Sequence, residues 1–268
     1  IALAFVGKLG QRAALQRELL EEGAVLHGDS DAELLLSALS LSEQKTHVTR
    51  LLDALNRAQG VWNIVLADEQ RLIGARDPSG LMPLCLGKVG GALALSTEGS
   101  AIEAIGGELI RELDPGEVLI LEPGGMESIK PFPRQTRKAC VMEILDLARP
   151  DSVLFEREVH AARVRMGELL ARNHPCRAEI VVALPGSESA ASGFARKTGI
   201  PLEAPFQGGL QAIRSVVHGR KVVVVASVLG GQPELATALR QLKQAGAIET
   251  HARVAAPLLT TTCPLGVD

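Results

Sequence analysis

One stretch, Gly219 to Gly246 (GRKVVVVASVLGGQPELATALRQLKQAG), narrows the possible folds more than any other. The apolar run Val222–Ala226 is too short to cross a membrane, and its β-branching predicts a buried parallel strand. Gly230 and Gly231 break the run. Pro233 fits the first turn of a helix, where its missing N–H leaves nothing unpaired. Leu235, Ala238, Leu239 and Leu242 recur at helical spacing, and Gly246 fits the position just past the helix end. A glycine loop between a buried strand and a helix N-terminus is a ready anion cradle, so this loop is the first candidate for phosphate binding.

The remaining residues suffice for a second folding unit, since 268 residues accommodate two modest domains. With 46% hydrophobic and 22% charged residues the composition is globular. A net charge of −3 gives no electrostatic drive toward nucleic acid or an anionic membrane. One Trp, five Phe and no Tyr leave few platforms for stacking bases. Neither nucleic acid nor a membrane is an expected partner. Cys85, Cys140, Cys176 and Cys263 show no paired spacing, so the expectation is reduced thiols in a cytoplasmic protein rather than a zinc site. His27, His47, His160, His174, His218 and His251 show neither metal-site nor triad spacing. Ile1–Val6 lacks the basic flank and cleavage site of a secretion signal. The leading Ile suggests a processed or trimmed chain, or a fragment.

Two patterns divide the chain. In the first part, Ser30 and Glu33 form a capping box opening a helix through Leu39, and a second helix runs from about Val48 to Ala58, closed by Gly60. Strands follow at 61–67 and 71–75, then a hairpin, 83–87 with 92–97, around Gly90-Gly91. Another strand, 118–121, lies between the turns Asp114-Pro115-Gly116 and Gly124-Gly125. Tight turns between strands predict antiparallel sheet. From Glu158 on, helices (158–172, 189–197, 233–245) alternate with apolar strands (180–184, 222–226, 252–255), the signature of a parallel sheet. The expected domains are 1–133 and 134–268.

Several stretches together resemble the amidophosphoribosyltransferase family. They are Ser30-Asp31-Ala32-Glu33, Arg76-Asp77-Pro78-Ser79-Gly80, Cys140-Val-Met-Glu143, Ala148-Arg149-Pro150-Asp151-Ser152, Gly193-Phe-Ala through Pro201, and Gly246-Ala247 through Cys263 to Asp268. The resemblance implies a partial N-terminal-nucleophile (Ntn) hydrolase-like α+β domain, which frees ammonia from glutamine. A type I phosphoribosyltransferase-like α/β domain follows, which uses that ammonia to displace pyrophosphate from phosphoribosylpyrophosphate (PRPP). The product, phosphoribosylamine, opens purine synthesis.

Residue by residue, the implied sites have departed from the family. The nucleophilic cysteine and the glutamine-carboxylate arginine are expected upstream of residue 1, so the resemblance implies missing N- and C-terminal parts. Cys85, internal and without an α-amine, reads as a small core residue. The Asn-Gly oxyanion element falls at Val6-Gly7, where Val6 has no amide to donate; losing such a donor typically costs about two to three orders of magnitude in rate. Asp31 matches the residue that holds the substrate's amino group, and also suits a helix's first turn. Gly7 and Asp31 are thus vestigial glutamine-binding positions, and no catalytic set is intact.

In the second domain the acidic pair that grips the ribose falls at Ala226 and Ser227, and the 5′-phosphate loop's Gly-Thr-Thr at Gln232-Pro233-Glu234. Pro233 removes a backbone donor. Glu234 sets a carboxylate where a phosphate would lie, a repulsion of roughly 1–4 kcal/mol at about 4 Å. The pyrophosphate loop, Pro185-Gly186-Ser187-Glu188-Ser189, lacks the family Asp and gains Glu188. The basic loop that closes over PRPP is reduced to Leu202–His218 with the single Arg214. Ser187, Ser227, Gly230 and Gly231 remain as vestigial PRPP positions, and magnesium is expected only if PRPP binds. Cys140 and Cys263 match two positions that ligate an iron–sulfur cluster in some members. Such clusters take four thiolates, so none is expected here. Arg76-Asp77 and Arg149-Asp151 read as ion pairs holding turns.

The expected function is that of a catalytically inactive family member with a non-catalytic role, as a homo-oligomer or beside a purine-pathway enzyme. Two alternatives stay open: a genuine amidotransferase whose nucleophile segment is absent from this chain, and a nucleotide-binding regulatory module.

Overall fold

The computed structural model describes residues 1–228, 233–258 and 263. It divides into two compact units, Ile1–Cys140 and Val141–Asp268, a boundary several residues beyond the one expected after 133. In the first unit the elements are β1 (Ala2–Leu9), α1 (Arg12–Glu21), α2 (Asp31–Leu41), α3 (His47–Arg57), β2 (Gly60–Ala67), β3 (Leu72–Arg76), β4 (Cys85–Val89), β5 (Ala92–Ser96), α4 (Gly99–Ala104), β6 (Glu108–Glu112), β7 (Val118–Glu122) and β8 (Gly125–Ile129).

Period-two alternation builds this unit. The five-stranded antiparallel sheet β1-β2-β3-β7-β8 turns Trp62, Ile64, Leu66, Ile73, Val118 and Ile120 toward the helices. Leu19 and Leu35 on α1 and α2, and Leu51 on α3, meet them there with no exposed surface. Alternate residues Leu119 and Leu121 face the other way, against Leu84, Leu86 and Leu113 of the β5-β4-β6 sheet region.

Several local expectations change. Ser30 does cap α2, accepting from the Glu33 N–H at 3.2 Å, but the Glu33 carboxylate turns outward to the Gly28 N–H at 2.7 Å. The reciprocal box is instead on α3, between Thr46 and Thr49. Gly60 opens β2 rather than ending α3, because it crosses Lys8 so closely that an added Cβ would lie 2.4 Å from the Lys8 carbonyl oxygen. Arg76 and Asp77 do not pair with each other. The fully buried Arg76 donates to the Met82 and Gly80 carbonyls at 2.8 and 2.9 Å, and to that of Leu113, and pairs with Glu112 at 2.7 Å. Asp77 instead accepts from the Ser79 and Gly80 N–H groups that follow it. Arg149 and Asp151 do pair, at 2.7 Å on the surface.

The second unit holds β9 (Val153–Leu154), β10 (Arg157–Glu158), α5 (Val159–Asn173), β11 (Ile180–Ala183), α6 (Glu188–Thr198), β12 (Leu202–Glu203), β13 (Phe206–Gln207), β14 (Gln211–Ala212), α7 (Arg214–Val217), β15 (Lys221–Ala226), α8 (Glu234–Gln244) and β16 (Glu249–Val254). Strands β12-β11-β15-β16 form one parallel sheet. Alternation in β15 covers both faces: Val223 and Val225 pack with Phe194 and Ala190 of α6, Val222 and Val224 with Leu242 of α8. Helices α5 and α6 touch backbone to backbone. A Cβ on Gly167 would lie 1.8 Å from the Ala190 carbonyl oxygen, and one on Gly193 2.0 Å from that of Val164.

Candidate functional site

In the first unit, Gly7 and Asp31, the two positions expected to be vestigial glutamine-binding ones, are both held by the fold itself. Gly7 lies opposite Trp62 in the β1–β2 register with φ +135°, and an added Cβ would sit 2.1 Å from the Val61 carbonyl oxygen. Sheet pairing alone therefore demands a glycine there. Asp31 opens α2, and its carboxylate accepts the Leu9 N–H at 2.8 Å and the Arg12 Nε–H at 3.0 Å. Both oxygens are engaged at the end of the strand that carries Gly7. The Val6 side chain is half exposed and brings no donor. Cys85 is buried on β4, and burial pushes its thiol up to about 11, far from a nucleophilic thiolate.

The second unit gathers its candidate residues at the carboxyl edge of the parallel sheet, where ligands of open α/β sheets bind. After β11 the chain turns through Pro185–Ser187 into α6, and after β15 through Ser227 toward α8. The two turns are tied together, the Ser227 N–H donating to Ser187 Oγ at 2.8 Å. Ser187 and Ser227 are thus brought into contact, both buried, and the Ser227 hydroxyl finds no partner among the described residues. Ala226 is fully buried. Glu188 folds back so that its carboxylate accepts the Gly186 N–H at 3.1 Å. Ser189 meets His160 Nδ1 at 2.9 Å. Gly230 and Gly231 lie outside the described residues, as does Gln232; Pro233 forms the N-cap of α8 and Glu234 its first turn.

Beside this edge, residues 202–218 fold compactly as β12, the β13–β14 hairpin and α7. Together with β11 and its turn they line an open cavity of about 450 Å³. Leu202, Phe206 and Pro185 supply apolar walls; among the described residues Glu188 and Glu203 are the charged groups lining it. Glu203 and Phe206 escaped the sequence reading, which took this segment only as the stub of a lid. Gly208-Gly209 between two short polar-apolar pairs is a hairpin signal that points to the cavity wall.

The two cysteine positions matched to a cluster are not equivalent. Cys140 ends the first unit, its N–H donating to the Leu81 carbonyl at 2.9 Å, while Cys263 belongs to the second. Among the described residues no three Cys, His, Asp or Glu side chains converge as metal ligands, and no helix is long and apolar enough to cross a membrane.

Residues 1–104 match a glutamine amidotransferase domain family. The whole chain is 32% identical to the amidophosphoribosyltransferase of Archaeoglobus fulgidus and 31% identical to the chloroplastic amidophosphoribosyltransferase 1 of Arabidopsis thaliana. This chain resembles the amidophosphoribosyltransferases along its entire length. It spans 64% and 52% of those two relatives, respectively. The glutamine PRPP amidotransferase of Bacillus subtilis, complexed with ADP and GMP, superposes with a TM-score of 0.92 at 30% identity, over 99% of this chain and 64% of that one. A second solved structure, described as the allosteric regulatory enzyme of purine biosynthesis, superposes with a TM-score of 0.91 at 31% identity, over 99% and 62%.

Proposed function

We propose that this chain is an amidophosphoribosyltransferase-family protein that no longer turns over PRPP, its second unit being a phosphoribosyltransferase-like domain kept for a non-catalytic role. The observation that carries this reading is the Glu188 carboxylate on the Gly186 N–H. This turn is read as a former pyrophosphate loop, and the protein's own anion already takes the donor that a diphosphate would need. Fully buried Ala226, at a position where an acid is implied, offers no acceptor to a ribose hydroxyl. Magnesium would accompany PRPP alone, so the reading requires no metal.

The first unit supports the same reading. Asp31 is spent on Leu9 and Arg12, and Val6 contributes no oxyanion donor. A role in assembly with further copies of itself or with a purine-pathway enzyme would preserve strands and turns while releasing the ligand-facing positions. Four free thiols suit a cytoplasmic setting. A nucleotide-binding regulatory module is the second reading, favoured by the ADP and GMP in the similar Bacillus structure.

Calorimetric titration of the full chain with PRPP plus magnesium, then AMP and GMP, tests these readings, alongside an ammonia-release assay on glutamine. The expected outcome is no PRPP heat and no ammonia above background. Saturable, magnesium-dependent PRPP binding overturns the proposal, while AMP or GMP binding without PRPP binding selects the second reading.

A further inference from the structure

The cavity at the carboxyl edge of the parallel sheet has a chemistry opposite to that of a phosphate site. Its volume, about 450 Å³, lies within the range of small-molecule sites. Its walls are mostly apolar, and among the described residues that line it the charged ones are both acids, Glu188 and Glu203, with no Lys, Arg or His. The two acids differ. Glu188 is steadied by the Gly186 N–H at 3.1 Å, whereas Glu203 has no hydrogen bond or ion pair to any described residue. Glu203 is also anchored in place by its backbone, since β12 pairs in register with β11, Glu203 opposite Val182. Phe206, three residues on, adds an aromatic ring. Two carboxylates against apolar walls repel anions and attract cations more strongly than the same groups in open water. An aromatic ring adds to the attraction through its face.

From this lining we infer that the cavity binds a small organic monocation, a protonated amine carried on an apolar body, with Glu203 as its principal counter-ion. Glu188 supplies a second negative charge, and Phe206 and Leu202 cover the apolar part. This inference rests on the reading that the same edge does not accept PRPP.

Titration calorimetry on the full 268-residue chain with phenethylammonium chloride as probe tests it. The neutral isostere 2-phenylethanol, the anion 3-phenylpropionate and PRPP plus magnesium serve as parallel arms. The ammonium ion should bind at least about tenfold more tightly than the alcohol, and the carboxylate should give no heat. Glu203→Gln should weaken the ammonium about tenfold while leaving alcohol binding and the thermal midpoint unchanged. Should Glu203→Gln fail to fold, Phe206→Leu supplies the second test, with weakened binding of both ammonium and alcohol. Equal binding of ammonium and alcohol, undiminished binding in Glu203→Gln, or no heat from the ammonium each overturns the inference. PRPP heat overturns the functional reading; a silent amine with silent PRPP overturns only the cation site.

Discussion

At the scale of single residues, carboxylates are spent on holding the fold. Asp31 is matched by resemblance to a substrate-binding residue, yet its oxygens serve Leu9 and Arg12. Asp31→Ala would leave a buried N–H unpaired and remove a charge-assisted bond, which should destabilise the chain by about 1–3 kcal/mol in urea unfolding. Unchanged stability with a lost glutamine response would restore a binding role. Glu117 makes the same point with a pH signature. Burial alone would raise its pKa, but bidentate Arg111, the Asp114 N–H and the Ser128 hydroxyl outweigh burial and hold it low. A depressed carboxylate stabilises fully above the unfolded pKa, about 4.3, and that contribution is lost as pH falls through the folded value. Glu117→Gln should therefore be less stable than the parent at pH 7, with the gap closing below about pH 4. Thermal midpoints taken from pH 3 to 7 check this, and a gap independent of pH would refute it.

At the scale of elements, the β9–β10 hairpin turns through Phe155 and Glu156, both with positive φ (51° and 64°). Two-residue turns of this hand favour Asn-Gly, and an L side chain there costs roughly 1 kcal/mol. Glu156→Gly should accordingly raise stability by about 0.5–1 kcal/mol in chemical denaturation, a gain that an equal or lower midpoint would rule out. Strain of this kind is invisible in the sequence, where Phe-Glu gives no turn signal. Where apolar spacing and punctuation agree, the sequence was informative: α3, β15 and α8 lie within a residue or so of their expected bounds. Strand β1 and helix α1 were missed, because Ala2–Leu9 is largely exposed and weakly alternating and α1 buries only Leu15 and Leu19. The strand, loop and helix at the candidate site were legible from spacing, but its altered ligand-facing positions only as substitutions against a family pattern. Glu188 could be noticed as an added acid, but its grip on Gly186, and the placing of Glu203 and Phe206 on one cavity wall, depend on how the chain folds back in space.

At the scale of the whole molecule, the two units carry separate cores. Trp62, the chain's one tryptophan, is buried in the first and packs edge-on to Phe132 at 5.7 Å, with Leu51, Ile64 and Val118 in the same cluster. The apolar clusters of the second unit draw on Val181, Phe194, Val224 and Leu242, and that unit contains no tryptophan. Tryptophan emission therefore reports one unit, whereas far-UV circular dichroism sums the helices of both. Two compact units with their own cores need not unfold as one cooperative step. In urea, the emission and dichroism curves should have different midpoints, the dichroism curve showing a component that emission lacks. That component alone should move to higher urea when phenethylammonium is present, because ligand stabilises only the unit that binds it. Superimposable curves would show a single cooperative unit. A shift of the emission midpoint by the amine, with the other component fixed, would place the cation in the first unit and away from Glu203.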